Sequence, residues 1–224
     1  MVYILNIETS TKNCSVALSQ NGQLLLCKEM SDQGFSHAEK LHVFIEEILA
    51  ETSISFSQLS AIAVSSGPGS YTGLRIGVSA AKGLSFAGNI PLISVDTLMS
   101  LAHQINIPDG FIIPMIDARR MEVYSAVFNS KKEMVRGVEA QIITSESFAE
   151  ITDTIYFIGD SNEKVKSILD KPNHVFLDEH TYPSAQQMCE LSYQKFLNNQ
   201  LEDLAYYEPY YLKDFLFIKS TKSV

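Results

Sequence analysis

Apolar residues run almost unbroken from Val2 to Ile7, return from Cys14 to Leu18 and again from Leu24 to Cys27, with Asn21-Gly22 between the last two runs. Asn-Gly supplies the two positive φ angles of a tight hairpin, so the chain is expected to open as three antiparallel strands. The period then changes. Ser36-His37-Ala38-Glu39 reads as a capping box, and Leu41, Phe44, Ile45, Ile48 and Leu49 follow at helical spacing, which predicts one amphipathic helix over about residues 37 to 51. A short buried strand (Ala61 to Val64), a glycine-rich turn (Gly67 to Gly73), a helix (Leu74 to Ala87), a strand (Pro91 to Val95) and a helix (Asp96 to Ile105) complete the first half.

From Phe111 the order begins again. Strands are expected at Phe111 to Asp117, Glu122 to Phe128 and Val135 to Ile143, then a short helix near Ser147, a strand at Ile155 to Ile158 and a helix at Asn162 to Leu169. A strand at His174 to Leu177 and a helix from Ser184 to Leu197 close the pattern. Three antiparallel strands followed by alternating helices and strands is the order of a ribonuclease-H-like unit. Two in tandem predict an α/β fold of the actin-like (ASKHA) type, divided into residues 1–106 and 107–224. Glu8 and Asp117 end the first strand of each half, where such a fold would hold a nucleotide and its metal; both also suit plain turn and cap roles.

The helix after the glycine-rich turn is unusual when its residues are placed about 100° apart around the axis. Leu74, Ile76, Gly77, Val78, Ala80, Ala81, Gly83, Leu84, Phe86 and Ala87 cover nearly every direction, leaving a narrow polar sector at Arg75, Ser79 and Lys82, with Ser85 at its edge. A helix apolar on almost all sides must be covered twice. Gly73, Gly77 and Ala81 lie four apart and are expected to admit another helix, from a partner subunit or from the Leu41 to Leu49 stripe of the same chain.

Composition narrows the chemistry. Seventeen Lys+Arg against 26 Asp+Glu give a formal net charge of -9, which argues against unaided nucleic-acid binding. No apolar run reaches the roughly 18 residues of a membrane span, and no positively charged segment precedes the first one, so a soluble, unexported protein is expected. Three cysteines without metal-ligand spacing, Cys14, Cys27 and Cys189, fit a reducing compartment, the cytoplasm. His37 and His42 are five apart, which sets them about 140° apart around a helix and unsuited to sharing a metal; none is expected. Gly67-Pro68-Gly69-Ser70-Tyr71-Thr72-Gly73 lies where a turn can hold an anion, yet it lacks the lysine and spacing of a P-loop and misses the dinucleotide fingerprint. Phosphate binding and close packing both remain open for it. Asp117-Ala118-Arg119-Arg120 is the densest basic spot of the chain, suited to a phosphate, to an acidic partner surface, or to a solvated hairpin edge. Tyr206, Tyr207, Tyr210 and Tyr211 around Glu208-Pro209, followed by Phe215 and Phe217, suit an interface or a tail folded on its own domain.

Several segments together resemble the bacterial TsaB family: Ile4 to Ser10, His37-Ala38-Glu39, the run from Ser66 to Gly77, and Ala81-Lys82-Gly83-Leu84. Asp117 to Arg120, Glu122-Val123-Tyr124 and Glu208 to Leu212 extend the likeness. The resemblance implies a non-catalytic dimerization subunit of the machinery that places threonylcarbamoyl on the adenosine 3′ of the anticodon in tRNAs reading codons that begin with adenine. It implies TsaD, the metal-bearing catalytic sibling, and TsaE, an ATPase, as partners, a homodimer when alone, and contact with tRNA only through the complex. It implies a helical bundle as the contact, and hence Leu41, Phe44, Ile45, Ile48, Tyr71, Arg75, Ile76, Ala80, Lys82 and Gly83 as partner-binding residues. Thr97 and Leu101 stand where TsaD carries two metal-binding histidines, so no catalytic residue is expected. No cofactor is assigned to this chain, and ATP or ADP belongs to the complex. The rival reading is a small actin-like ATPase or kinase that uses Glu8, Ser10, Gly67, Gly69 and Asp117.

Overall fold

The computed structural model describes residues 1–31 and 37–212. Ser36 of the expected capping box and the tail aromatics Phe215 and Phe217 lie outside the described residues. The first half contains β1 (Tyr3–Glu8), β2 (Asn13–Gln20), β3 (Gln23–Ser31), α1 (His37–Thr52), β4 (Ala61–Ser65), α2 (Tyr71–Gly88), β5 (Leu92–Val95) and α3 (Thr97–Ala102). The second contains β6 (Phe111–Asp117), β7 (Glu122–Asn129), β8 (Met134–Ile142), β9 (Ile155–Ile158), α4 (Asn162–Val165), β10 (His174–Phe176) and α5 (Ala185–Leu197).

Each half builds one five-stranded sheet, β3-β2-β1-β4-β5 and β8-β7-β6-β9-β10, so the strand order repeats. Within each, the first three strands are antiparallel and the fourth and fifth join in parallel. The Asn21-Gly22 turn has φ of 51° and 82°, as a two-residue hairpin demands. The expected helix near Ser147 is instead a series of turns. Its amides reach back three residues, as in Ser147 N to Thr144 O at 3.0 Å, and Phe148 takes φ of 61°, which ends helical propagation while its ring enters the second core. α4 is a single turn, after which Ile168 and Leu169 both donate to the carbonyl of Val165 at 2.9 Å.

The sheets do not keep their helices to themselves. α1 and α2 cover one face of the first sheet, where Leu5, Ile7, Val16, Leu41, Ile48, Ile62, Val64 and Val78 interlock. The opposite face is covered by α5, from the far end of the chain, through Ala185, Met188 and Cys189 against Ile4, Ala63 and Ile93. In turn α3 packs its Leu98, Leu101 and Ala102 on the second sheet, against Ile112, Ile116 and Phe128. Each half thus lends a helix to its neighbour, and the segment after α5 returns to the first half. Glu202 N donates to Leu92 O at 2.9 Å, and Tyr210 N to Ser66 O at 2.7 Å.

The β6–β7 hairpin adds strain to this frame. Arg119 and Arg120 are both left-handed, with φ of 69° and 52°, where L side chains meet the following carbonyl at roughly 1–2 kcal/mol each. The turn is held all the same: Arg119 N donates to Asp117 Oδ1 at 2.8 Å, and Ala118 N to Glu122 O at 3.1 Å.

Candidate functional site

α2 begins at Ser70, whose hydroxyl accepts from Gly73 N, and ends at left-handed Asn89, whose amide returns to Phe86 and Ser85 carbonyls. Between these caps the helix meets a different neighbour on each side. One side faces β1 and its turn. A Cβ on Gly73 would lie 2.0 Å from Thr9 O, one on Gly77 would lie 2.3 Å from Thr9 Oγ1, and Thr9 Oγ1 donates to Gly73 O at 2.8 Å. Ala81 is fully buried. The stripe of small residues expected to receive another helix is therefore filled by Thr9 and the first core, because the helix must approach β1 closely to seal the sheet.

Leu41, Phe44, Ile45 and Ile48 are likewise placed inward, at 0%, 9%, 5% and 0% exposure in that core. Truncating one of them would remove the contacts of α1 to its own sheet, at about 2–5 kcal/mol for a leucine or isoleucine cut to alanine. The outward side is different. Ala38 and His42 of α1 face Arg75, Ile76, Ser79, Ala80, Gly83 and Leu84 of α2 across an open groove of about 560 Å³. Ile76, Ala80 and Leu84 keep part of their surface in solvent, Gly83 is exposed, and a Cβ added to Gly83 would meet no atom within 4 Å. Phe86, one position around the same side, is 81% exposed. Of the expected partner-binding residues, this groove brings together Arg75, Ile76, Ala80 and Gly83. It adds Ala38, His42, Ser79 and Leu84, which the α1 stripe did not point to; the signal was available in the α2 wheel, where Leu84 stands one turn from Ala80.

The third side of α2 meets the chain's tail. Lys82 Nζ donates to the carbonyls of Ala205 and Tyr207 at 3.2 and 3.0 Å. The rings of Tyr71 and Tyr211 lie 4.8 Å apart, and the Arg75 guanidinium stands 4.1 Å over the Tyr71 ring. The tyrosine-rich tail is therefore folded on its own domain, yet it leaves Tyr206 at 84% and Tyr210 at 47% exposure beside the helix.

The residues grouped for nucleotide binding sit otherwise. Glu8 is fully buried; its Oε1 accepts from Ser10 N at 2.6 Å and Ser65 Oγ at 3.0 Å, Oε2 has no partner, and burial pushes its carboxyl above the ordinary range. The glycine-rich turn spends amides on its own frame. Gly67 N donates to Thr97 Oγ1, Ser70 N to Ser10 O at 2.6 Å, Gly73 N to Ser70 Oγ and Leu74 N to Ser70 O. A Cβ on Gly69 would stand 2.3 Å from Ser10 O, so this glycine serves a close approach of two loops. Asp117 is ion-paired with Lys164 in the second half. Near it, burial and the Asp117 charge push Asp160 up to about 6.

His37 is buried, with Nε2 2.7 Å from Thr11 O, and so ties the start of α1 to the β1–β2 turn. Among the described residues no group of three His, Cys, Asp or Glu comes together to hold a metal. Thr97 and Leu101 are both fully buried, the first as acceptor for Gly67 N and the second in the core under α3.

A family model described as TsaD: tRNA N6-adenosine threonylcarbamoyltransferase matches residues 33–215. The tRNA threonylcarbamoyladenosine biosynthesis protein TsaB of Escherichia coli (strain K12) is 29% identical over 220 residues, which is 94% of each chain. TsaB of Buchnera aphidicola is 31% identical over 185 residues, covering 78% of this chain and 83% of that one. The chain belongs to the TsaB family. The solved structure of YeaZ from Pseudomonas aeruginosa superposes with a TM-score of 0.80 at 28% identity, over 95% of this chain and all of the other. For a TsaB-family chain, the open side of α2 is thus carried on a backbone shared with a solved relative.

Proposed function

We propose that this chain is a non-catalytic docking subunit of the machinery that makes threonylcarbamoyladenosine in tRNA, and that it binds a TsaD-type transferase through the outer face of α2 and the start of α1. The observation that carries the proposal is the groove between Ala38, His42 and the Ile76, Ala80, Gly83, Leu84 face, extended by exposed Phe86. Membership in the TsaB family supplies the pathway, and buried Thr97 and Leu101 support a structural role at the places that would bear metal ligands in a catalytic sibling.

In this reading the same face joins two copies of the chain when the transferase is absent, a TsaE-type ATPase joins the pair, and tRNA and ATP or ADP are met only in the complex. The repeated strand order supports reading the halves as tandem ribonuclease-H-like units of an actin-like fold. Three free thiols support a reducing, cytoplasmic setting.

The test is co-purification with the transferase. Ile76→Asp and Ala80→Arg each set a charge on the groove wall, and a charge dehydrated without a partner at an interface costs about 2–5 kcal/mol. Both variants are expected to fold and to lose the transferase. Co-elution of either at wild-type affinity overturns the assignment.

A further inference from the structure

The chain has four arginines, and two are consumed internally. Arg75 stacks on Tyr71; Arg136 pairs with Glu139 and Glu150 and stands 4.7 Å over the Phe148 ring. Arg119 and Arg120 are exposed and make no side-chain ion pair or hydrogen bond among the described residues. They are also the two adjacent left-handed residues of the β6–β7 hairpin, positions that favour glycine or asparagine. A fold that holds charged side chains there keeps them for their heads, since neither adds packing nor pairing to the protein.

Two acidic groups beside the hairpin are already engaged. Asp117 is ion-paired with Lys164, which also donates to Glu122 O at 2.8 Å. Asp160 is largely buried, accepts from Asp117 N at 2.8 Å, and feels the charge of exposed Lys12 from the β1–β2 turn of the other half. One phosphate engages one guanidinium fork, so two exposed arginines on one turn suit phosphates in series. The chain as a whole, at net charge -9, repels a polyanion, which confines such contact to this spot.

We propose that the Arg119-Arg120 hairpin is a contact for successive backbone phosphates of the RNA substrate when this chain is assembled with its transferase. This rests on the function proposed above. The shared chemistry, phosphate, also occurs in free nucleotides, so the test separates the two.

The complex of chain and transferase is titrated with unmodified tRNA from about 50 to about 200 mM salt, with wild type, Arg119→Ala/Arg120→Ala and Arg119→Gly/Arg120→Gly. Each lost phosphate contact removes about 0.7 (single strand) to 0.9 (duplex) from the slope of log affinity against log salt, so both double variants should lower the slope by about 1.4–1.8 and the affinity about tenfold or more. The glycine pair relieves the left-handed strain and should melt no lower than wild type, which keeps the charge loss apart from misfolding. Unchanged affinity and slope in a complex that still co-elutes overturns the inference while leaving the docking surface intact. A loss of ATP affinity with tRNA binding unchanged overturns it in favour of a nucleotide. Failure of the wild-type chain to co-elute with the transferase strikes the proposed function instead.

Discussion

Gly83→Arg tests the docking surface with little disturbance to the monomer. A Cβ at residue 83 meets no atom within 4 Å, and the residue lines the groove between α1 and α2. Within the free chain the substitution replaces glycine in a helix interior by a good helix former, worth about 0.7 kcal/mol of added stability, or about 2 °C in Tm for a protein of this size. In a complex that buries the groove, the same side chain must either displace the partner or dehydrate a guanidinium without an acceptor, at about 2–5 kcal/mol, a roughly 30- to 5,000-fold loss of affinity. Thermal denaturation and size-exclusion chromatography with the transferase read the two effects independently. A variant that melts at or above wild type and no longer co-elutes is expected. Normal affinity at normal Tm refutes the argument, because the groove would then be solvent in the complex too.

Gly73→Ala places a methyl 2.0 Å from the Thr9 carbonyl and is expected to lower stability by about 1–3 kcal/mol, seen as a lower urea midpoint at unchanged m. Asp160→Asn should stabilise the protein above pH 6. A carboxyl raised from 3.8 to about 6 on folding binds its proton more tightly in the folded state, so wild-type stability falls by about 3 kcal/mol as pH rises from about 4 to 6; a variant whose advantage does not shrink on acidification contradicts this. Lys82→Ala releases the Ala205 and Tyr207 carbonyls, and chymotrypsin should cleave the tail at Tyr206 to Tyr211 several times faster. Calorimetry with Mg-ATP on the isolated chain should give no turnover sensitive to Glu8→Ala; turnover that vanishes in that variant would restore the ATPase reading.

The strands were legible because their signals are local. The Asn21-Gly22 turn, the alternation of apolar runs and the restart at Phe111 fix pairing within each half. Which sheet a helix covers is another matter, since α5 and α3 each cross to the other half, and the apolar faces of Ala185, Met188 and Cys189 or Leu98 and Leu101 carry no address. The same limit governed the candidate site. Spacing marked the Leu41 to Ile48 stripe as apolar but could not say that the chain's own sheet takes it up, nor that Ile76 and Ala80 on α2 would pack on that core with only part of their surface while Phe86 stays in solvent.

That contrast explains why α2 is apolar almost all round. Thr9 fills the Gly73 and Gly77 side, the core takes Leu74, Val78 and Ala81, and the tail occupies Lys82 and the Tyr71 side. These contacts account for the small residues and the buried stripe. They do not account for Phe86 at 81% exposure or for the open ground around Gly83, where a solvated helix would gain from a lysine or a glutamate. The unexplained apolarity is confined to one continuous side, between α1 and the tail. On that side a second polypeptide can reach the helix without disturbing either neighbour.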